Sequence, residues 1–203
     1  MTIGPSQFHK INVTDTCAIW NILSSKLLYV TTKAAGCSFC CTTFVYYECL
    51  HKSRKTYTKE DIELQNRLRQ AVQDGKFKNY HLDLEDLQEI EILQKRKNLS
   101  KGELASIAFA KKTGQAFLTD DTKARKLARE VMARHFVQTT PHLLGWLFFI
   151  NFLSDSDLQP IINEHKQHNR PLAQYFTEMY NTALDYRAKL YICNEANNEH
   201  GIN

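Results

Sequence analysis

No stretch of this 203-residue sequence is apolar for long enough to cross a bilayer. The most apolar one, LLGWLFFINFL at 143–153, falls well short of the roughly 20 residues a spanning helix needs. The opening MTIGPSQFHK lacks the basic start and apolar run of a cleavable leader, so a cytoplasmic protein with no membrane partner is expected. Turn residues are scarce, with 7 Gly and 4 Pro, which argues against an all-β fold. Hydrophobic residues make up 43% of the chain, too many for a disordered one. Internal repeats, a low-complexity linker and a Gly-rich phosphate loop are all missing. So is a run of aromatics with basic residues, the mark of an RNA-stacking sheet. Charge is nearly balanced, and the net +4 leans only slightly toward polyanion partners.

Six cysteines are present, four of them within 37–49. CSFCC with Cys49 and His51 invites a zinc reading. Cys40 and Cys41, however, are consecutive in a strand-like run, where side chains point to opposite faces, and the spacing fits no paired-ligand pattern. Buried thiols are the better expectation.

What is there is alternation. Strands are expected at 8–15, 37–42, 79–84, 115–121 and 135–140. Between them helical spacing predicts helices at 16–28, 43–53, 60–75, 84–96, 98–114 and 122–134, the fourth following its strand directly. In the 60–75 helix Ile62, Leu68 and Val72 are expected to face inward. The pattern predicts an α/β/α sandwich around a central, mainly parallel sheet of four to five strands over residues 1–140. Residues 141–203 read as a helical C-terminal extension, packed on that domain or used for partner binding.

Two of the strands finish on acids, INVTD at Asp15 and FLTDD at Asp120 and Asp121. In a parallel sheet all strand C-termini share one edge, where ligands bind at the point of reversal. Glu48 and Glu103 fall in early turns of helices expected at that same edge. Each acid also has a plainer role, since Asp15, Asp120 and Asp121 suit helix caps and Ser100 with Glu103 suits a capping box. Converging carboxylates repel one another, and a divalent cation relieves that repulsion. Oxygen donors select Mg²⁺ or Mn²⁺, ions that promote displacement at a phosphodiester. Asp15, Glu103 and Asp121, with Asp120 in reserve, are the candidate metal ligands.

INVTDTCAIWNIL, CCTTFVYYECL, LSKGELASIAFAKKTG and AFLTDDTKARKLA resemble, in order, the four acidic motifs of PIN-domain ribonucleases. The resemblance implies a PIN-like, Rossmann-type fold and catalytic roles for Asp15, Glu48, Glu103 and Asp121. It implies Mg²⁺- or Mn²⁺-dependent endoribonuclease activity on an RNA substrate, with Asp120 the variable neighbour of Asp121. The GE form of the third motif is similar to a branch of small prokaryotic proteins of the VapC type. Many of these are toxins held by a cognate antitoxin, and dimerisation is common. Lys123, Arg125, Lys126 and Arg129 on the following helix are candidate RNA contacts, extended by Lys111 and Lys112. A catalytically inactive PIN-like scaffold is the main alternative. A haloacid-dehalogenase-like phosphatase fits less well, because Cys17 stands where its second Asp is required.

Overall fold

The structure, a computed structural model, describes residues 4–53 and 56–199, with side chains as far as 192; Cys193 therefore lies outside the described side chains. Five short strands are present: β1 (Ile11–Thr14), β2 (Ser38–Thr42), β3 (Phe77–Tyr80), β4 (Ala116–Leu118) and β5 (Val137–Gln138). They form one sheet in the order β3-β2-β1-β4-β5, with every pairing parallel. Parallel neighbours need crossovers, and helices supply them. After β1 come α1 (Thr16–Ser24) and α2 (Lys26–Ala34), and after β2 come α3 (Thr43–Leu50) and α4 (Lys59–Gln73). The helices α5 (Leu84–Arg96) and α6 (Lys101–Thr113) lead to β4, and α7 (Thr122–Val131) to β5. The chain continues through α8 (Thr140–Phe149), α9 (Leu158–Gln167) and α10 (Ala173–Glu199).

Alternation across the pleat divides the interior into two cores. Phe39, Cys41, Phe77 and Leu118 face one, shared with α1, α2, α4 and α8. Val13, Cys40 and Phe117 face the other, against α5, α6 and α7. The expected α/β/α sandwich is thus the one observed. Cys40 and Cys41 enter different cores, and with Cys37 and Cys49 they are buried and outside any disulfide.

The helix expected over 16–28 is two helices. Ser25 is extended, its hydroxyl accepts the Leu28 amide at 3.0 Å, and it starts α2 anew. A serine whose side chain bonds the nearby backbone favours such a restart over helix continuation. The strand expected at 79–84 begins earlier, because Phe77 pairs in register with Phe39 and is buried beside it. Ile62 is exposed, whereas Leu68 faces inward as expected and Val72 packs partly buried against the same core; Leu64 and Ala71 complete the inward face of α4. Only Val137 and Gln138 of the last expected strand pair with the sheet, after a 3₁₀ turn at Arg134–Phe136.

Leu143, Leu144, Leu147 and Phe148 bury α8 in the first core, each worth roughly 1.5–3 kcal/mol. Against it lies α10, close enough that a Cβ on Gly145 would stand 3.1 Å from the Met179 methyl carbon. Leu172, Phe176 and Ala183 hold α10 to the core, while Tyr186 and Leu190 further along are exposed. Among the described residues no helix is long and apolar enough to cross a membrane.

Candidate active site

In this strand order the chain reverses direction between β1 and β4, so the segments leaving these two neighbours flank a crevice. Asp15 leaves β1 and caps α1. Its Oδ1 accepts the Ala18 amide at 2.9 Å and the Cys17 thiol at 3.0 Å, and Oδ2 accepts the Thr119 hydroxyl. Asp121 follows β4 and caps α7, with Oδ1 accepting the amides of Lys123 and Ala124 at 2.7 and 2.8 Å. Its own amide donates to Thr119 Oγ1 at 3.1 Å, so one threonine ties both acids together.

Glu103 lies in the first turn of α6, where Oε2 accepts the Ser100 amide at 2.8 Å in a capping box. Glu48 reaches over from α3 and its Oε2 accepts the Thr16 hydroxyl at 2.8 Å. Gly102 makes this approach feasible. A Cβ there would stand 2.5 Å from Glu48 Oε2 and 2.8 Å from Cδ, inside any tolerable contact. The GE pair therefore serves two carboxylates: Glu103 by being one, Gly102 by leaving room for the other.

All four acids line a single cleft of about 270 Å³, together with Thr16, Cys17 and Arg170. Burial raises the Asp15 pKa from 3.8 to about 7; its three hydrogen bonds oppose the shift and the Asp120 charge adds to it. Burial, then the charges of Asp15 and Asp120, hold Cys17 as a neutral thiol.

Asp120 does not join the four acids that line the cleft. Oδ1 accepts the Thr140 amide at 2.9 Å, and Oδ2 accepts Asn21 Nδ2 at 2.8 Å and the Thr140 hydroxyl at 2.6 Å. The carboxylate thereby fastens α1 to the start of α8, and burial pushes its pKa up. Arg125 and Arg129 line a neighbouring cavity, while Lys123 and Lys126 are exposed and line neither space. Lys111 and Lys112 form surface ion pairs, Lys111 with Glu89 of α5 at 2.8 Å and Lys112 with Asp83, the residue before α5.

Like Trp20 of α1, Arg170 is a cleft residue that sequence reasoning missed. It sits in the turn between α9 and α10, fixed by its amide on the His165 carbonyl at 2.9 Å and by Asn169 in the left-handed conformation at φ 53°. No local pattern marks it, since only the tertiary path of the extension brings it to acids at the far end of the chain.

As the side chains stand, no three His, Cys, Asp or Glu among the described residues converge closely enough to hold a metal ion. The donor set nevertheless suits a hard divalent cation. Asp15, Glu48, Glu103 and Asp121 offer it carboxylate oxygens, the one sulfur of the set is a neutral thiol, and burial disfavours the ionised form of Asp15.

The α/β/α sandwich thus gathers four carboxylates at its switch point, where open parallel sheets bind their ligands. A family model for DUF3368, a PIN domain, matches residues 11–168, and the chain belongs to the PIN-domain family. PIN domains are generally nucleases that use divalent metal ions. A search of curated proteins finds no match to the chain. The matched region ends two residues before Arg170.

Proposed function

We infer that this protein is a metal-dependent endoribonuclease that hydrolyses RNA phosphodiester bonds. The observation that carries the reading is the single cleft lined by Asp15, Glu48, Glu103 and Asp121, drawn from four separate elements. Asp15, Glu103 and Asp121 would hold Mg²⁺ or Mn²⁺, with Glu48 behind them, steadied by Thr16. The bound ion would supply Lewis-acid polarisation of the phosphoryl group and a more acidic water. Thr119 fixes the separation of the two aspartates through its paired bonds. Arg170 brings the cleft a guanidinium suited to the negative charge that builds on phosphoryl oxygens.

Purified protein should cut RNA with Mn²⁺ or Mg²⁺, leave 5′-phosphate ends and stop in EDTA. The scaffold alternative draws on the lack of a converged metal set among the described residues. It expects RNA binding without cleavage under any metal. The likeness of the GE motif to VapC-type proteins supports a toxin held by an antitoxin partner. Growth arrest on expression of wild type, but not of Asp121→Asn, tests that setting.

A further inference from the structure

A second cavity, of about 340 Å³, opens on the other side of the turn that carries Asp121. Two chain segments serve both spaces. Asp121 lines the acid cleft while its neighbours Asp120 and Thr122 line the second cavity. Likewise Arg170 lines the cleft and Leu172 the cavity. Positions two apart are separated by at most about 7 Å, so the two spaces lie close together, on either side of the same two chain segments.

The second compartment has a different chemistry. Arg125 and Arg129 lie one turn apart on α7, and among the described residues neither is in salt-bridge contact with a carboxylate; Arg125 donates to Thr122 Oγ1 at 3.2 Å and its charge favours the ionised form of Asp120 in the same wall. Burial and the charges of Arg125 and Arg134 push the Arg129 pKa down, a cost that a bound anion would remove. Across the cavity Leu172 and Met179 supply apolar surface, and Tyr175 offers a ring that is 53% exposed. Glu178, whose Oε1 accepts Gln174 Nε2 at 2.9 Å, adds an acceptor.

Paired guanidiniums beside an aromatic face match a phosphate beside a flat base. An acidic peptide would satisfy the arginines and leave the ring unused. A duplex would keep its bases stacked and out of reach. We propose that this compartment is a subsite for one unpaired nucleotide of single-stranded RNA, its base on Tyr175 and its phosphate on Arg125 and Arg129. An adjoining phosphate of the same strand then lies in the acid cleft. The choice of ligand rests on the nuclease reading of that cleft.

The test is fluorescence anisotropy of a labelled single-stranded RNA of about ten nucleotides. The Asp121→Asn chain serves as the uncleaving parent, with Mg²⁺ and again in EDTA. Tyr175→Leu should weaken binding by at least about fivefold and Tyr175→Phe should keep it, because the ring and not the hydroxyl is used. Since Tyr175 is exposed, neither change threatens the fold. Arg125→Gln and Arg129→Gln should each lower the slope of log affinity against log salt by about 0.7. No binding by the parent, an unaltered affinity in Tyr175→Leu, or a salt slope unmoved by either arginine change overturns the proposal. So does a glutamate-rich peptide, or an RNA duplex, that displaces the probe as well as unlabelled single strand does. Failure of the nuclease reading is separate. RNA held through Tyr175 but left uncut by wild type under Mn²⁺ or Mg²⁺ keeps the subsite and removes the nuclease.

Discussion

At Gly102 helix α6 gives up a side chain so that α3 can bring a carboxylate to the cleft. Ala is the better helix former by about 1 kcal/mol, which offsets the cost of displacing the Glu48 carboxylate, so Gly102→Ala should leave the melting temperature nearly unchanged. The added Cβ meets the flexible end of Glu48, which must move. Metal-dependent cleavage should fall about tenfold or more. In a Glu48→Ala background the same change should cost almost nothing further, and a full additional loss there would show that Gly102 acts in another way. His165 carries a second prediction. Its ring is buried edge-on to Phe176, and burial, then Arg170, lower its pKa from 6.5 to about 3. Between these values the unfolded chain takes up a proton that the folded chain refuses. The stability tied to the neutral ring is therefore whole above pH 6.5 and lost as pH falls toward 3. Asp15 acts in the opposite sense, since its raised pKa makes folding less favourable as pH climbs from 3.8 to about 7. The difference between wild type and His165→Leu isolates the histidine. By urea denaturation the variant should gain roughly 2–3 kcal/mol on wild type between pH 7.5 and 4.5.

Each acid of the cleft belongs to the start of a helix or reaches across to one, and this is why so much of the site was legible in the sequence. Asp15, Asp121 and the Ser100–Glu103 pair carry local signals, a strand end or a capping box, and the structure uses them as caps and as cleft walls together. The helix at 84–96 was readable for the same reason, being closed by a capping box at Asp83 and Asp86. Where pairing across space decides, local pattern falls short. The start of β3 is set by its ladder with β2, and Ser25 breaks a helix that apolar spacing alone would continue. The fastening of α1 to α8 by Asp120 was not legible, because Asn21 and Thr140 are remote in the chain. Asp120→Ala should lower unfolding free energy by about 1–3 kcal/mol, since it strands donors from two other elements. Asp120→Asn should cost much less activity than Asp121→Asn. Equal losses in a side-by-side cleavage assay would return Asp120 to the metal-facing set.

Across the whole molecule the extension and the sandwich share one core, and the extension reaches back to the cleft through Arg170. Arg170→Gln should lower kcat about tenfold or more in protein that thermal unfolding shows to be folded, with a smaller change in RNA affinity. An unaltered kcat would confine Arg170 to structure. This link could not be read from the sequence, because nothing near residue 170 signals acids that topology alone brings to it. The central claim is that the cleft at the β1–β4 reversal is where RNA is cut with the help of a divalent cation. Its most direct measurement is the initial rate of RNA cleavage by wild type and by Asp121→Asn across a Mn²⁺ titration, with thermal unfolding of both as a check on folding. Wild type should cut in proportion to bound metal, and the variant, equally folded, at least about a hundredfold more slowly. An Asp121→Asn protein that cuts as fast as wild type, with the same dependence on Mn²⁺, would contradict it.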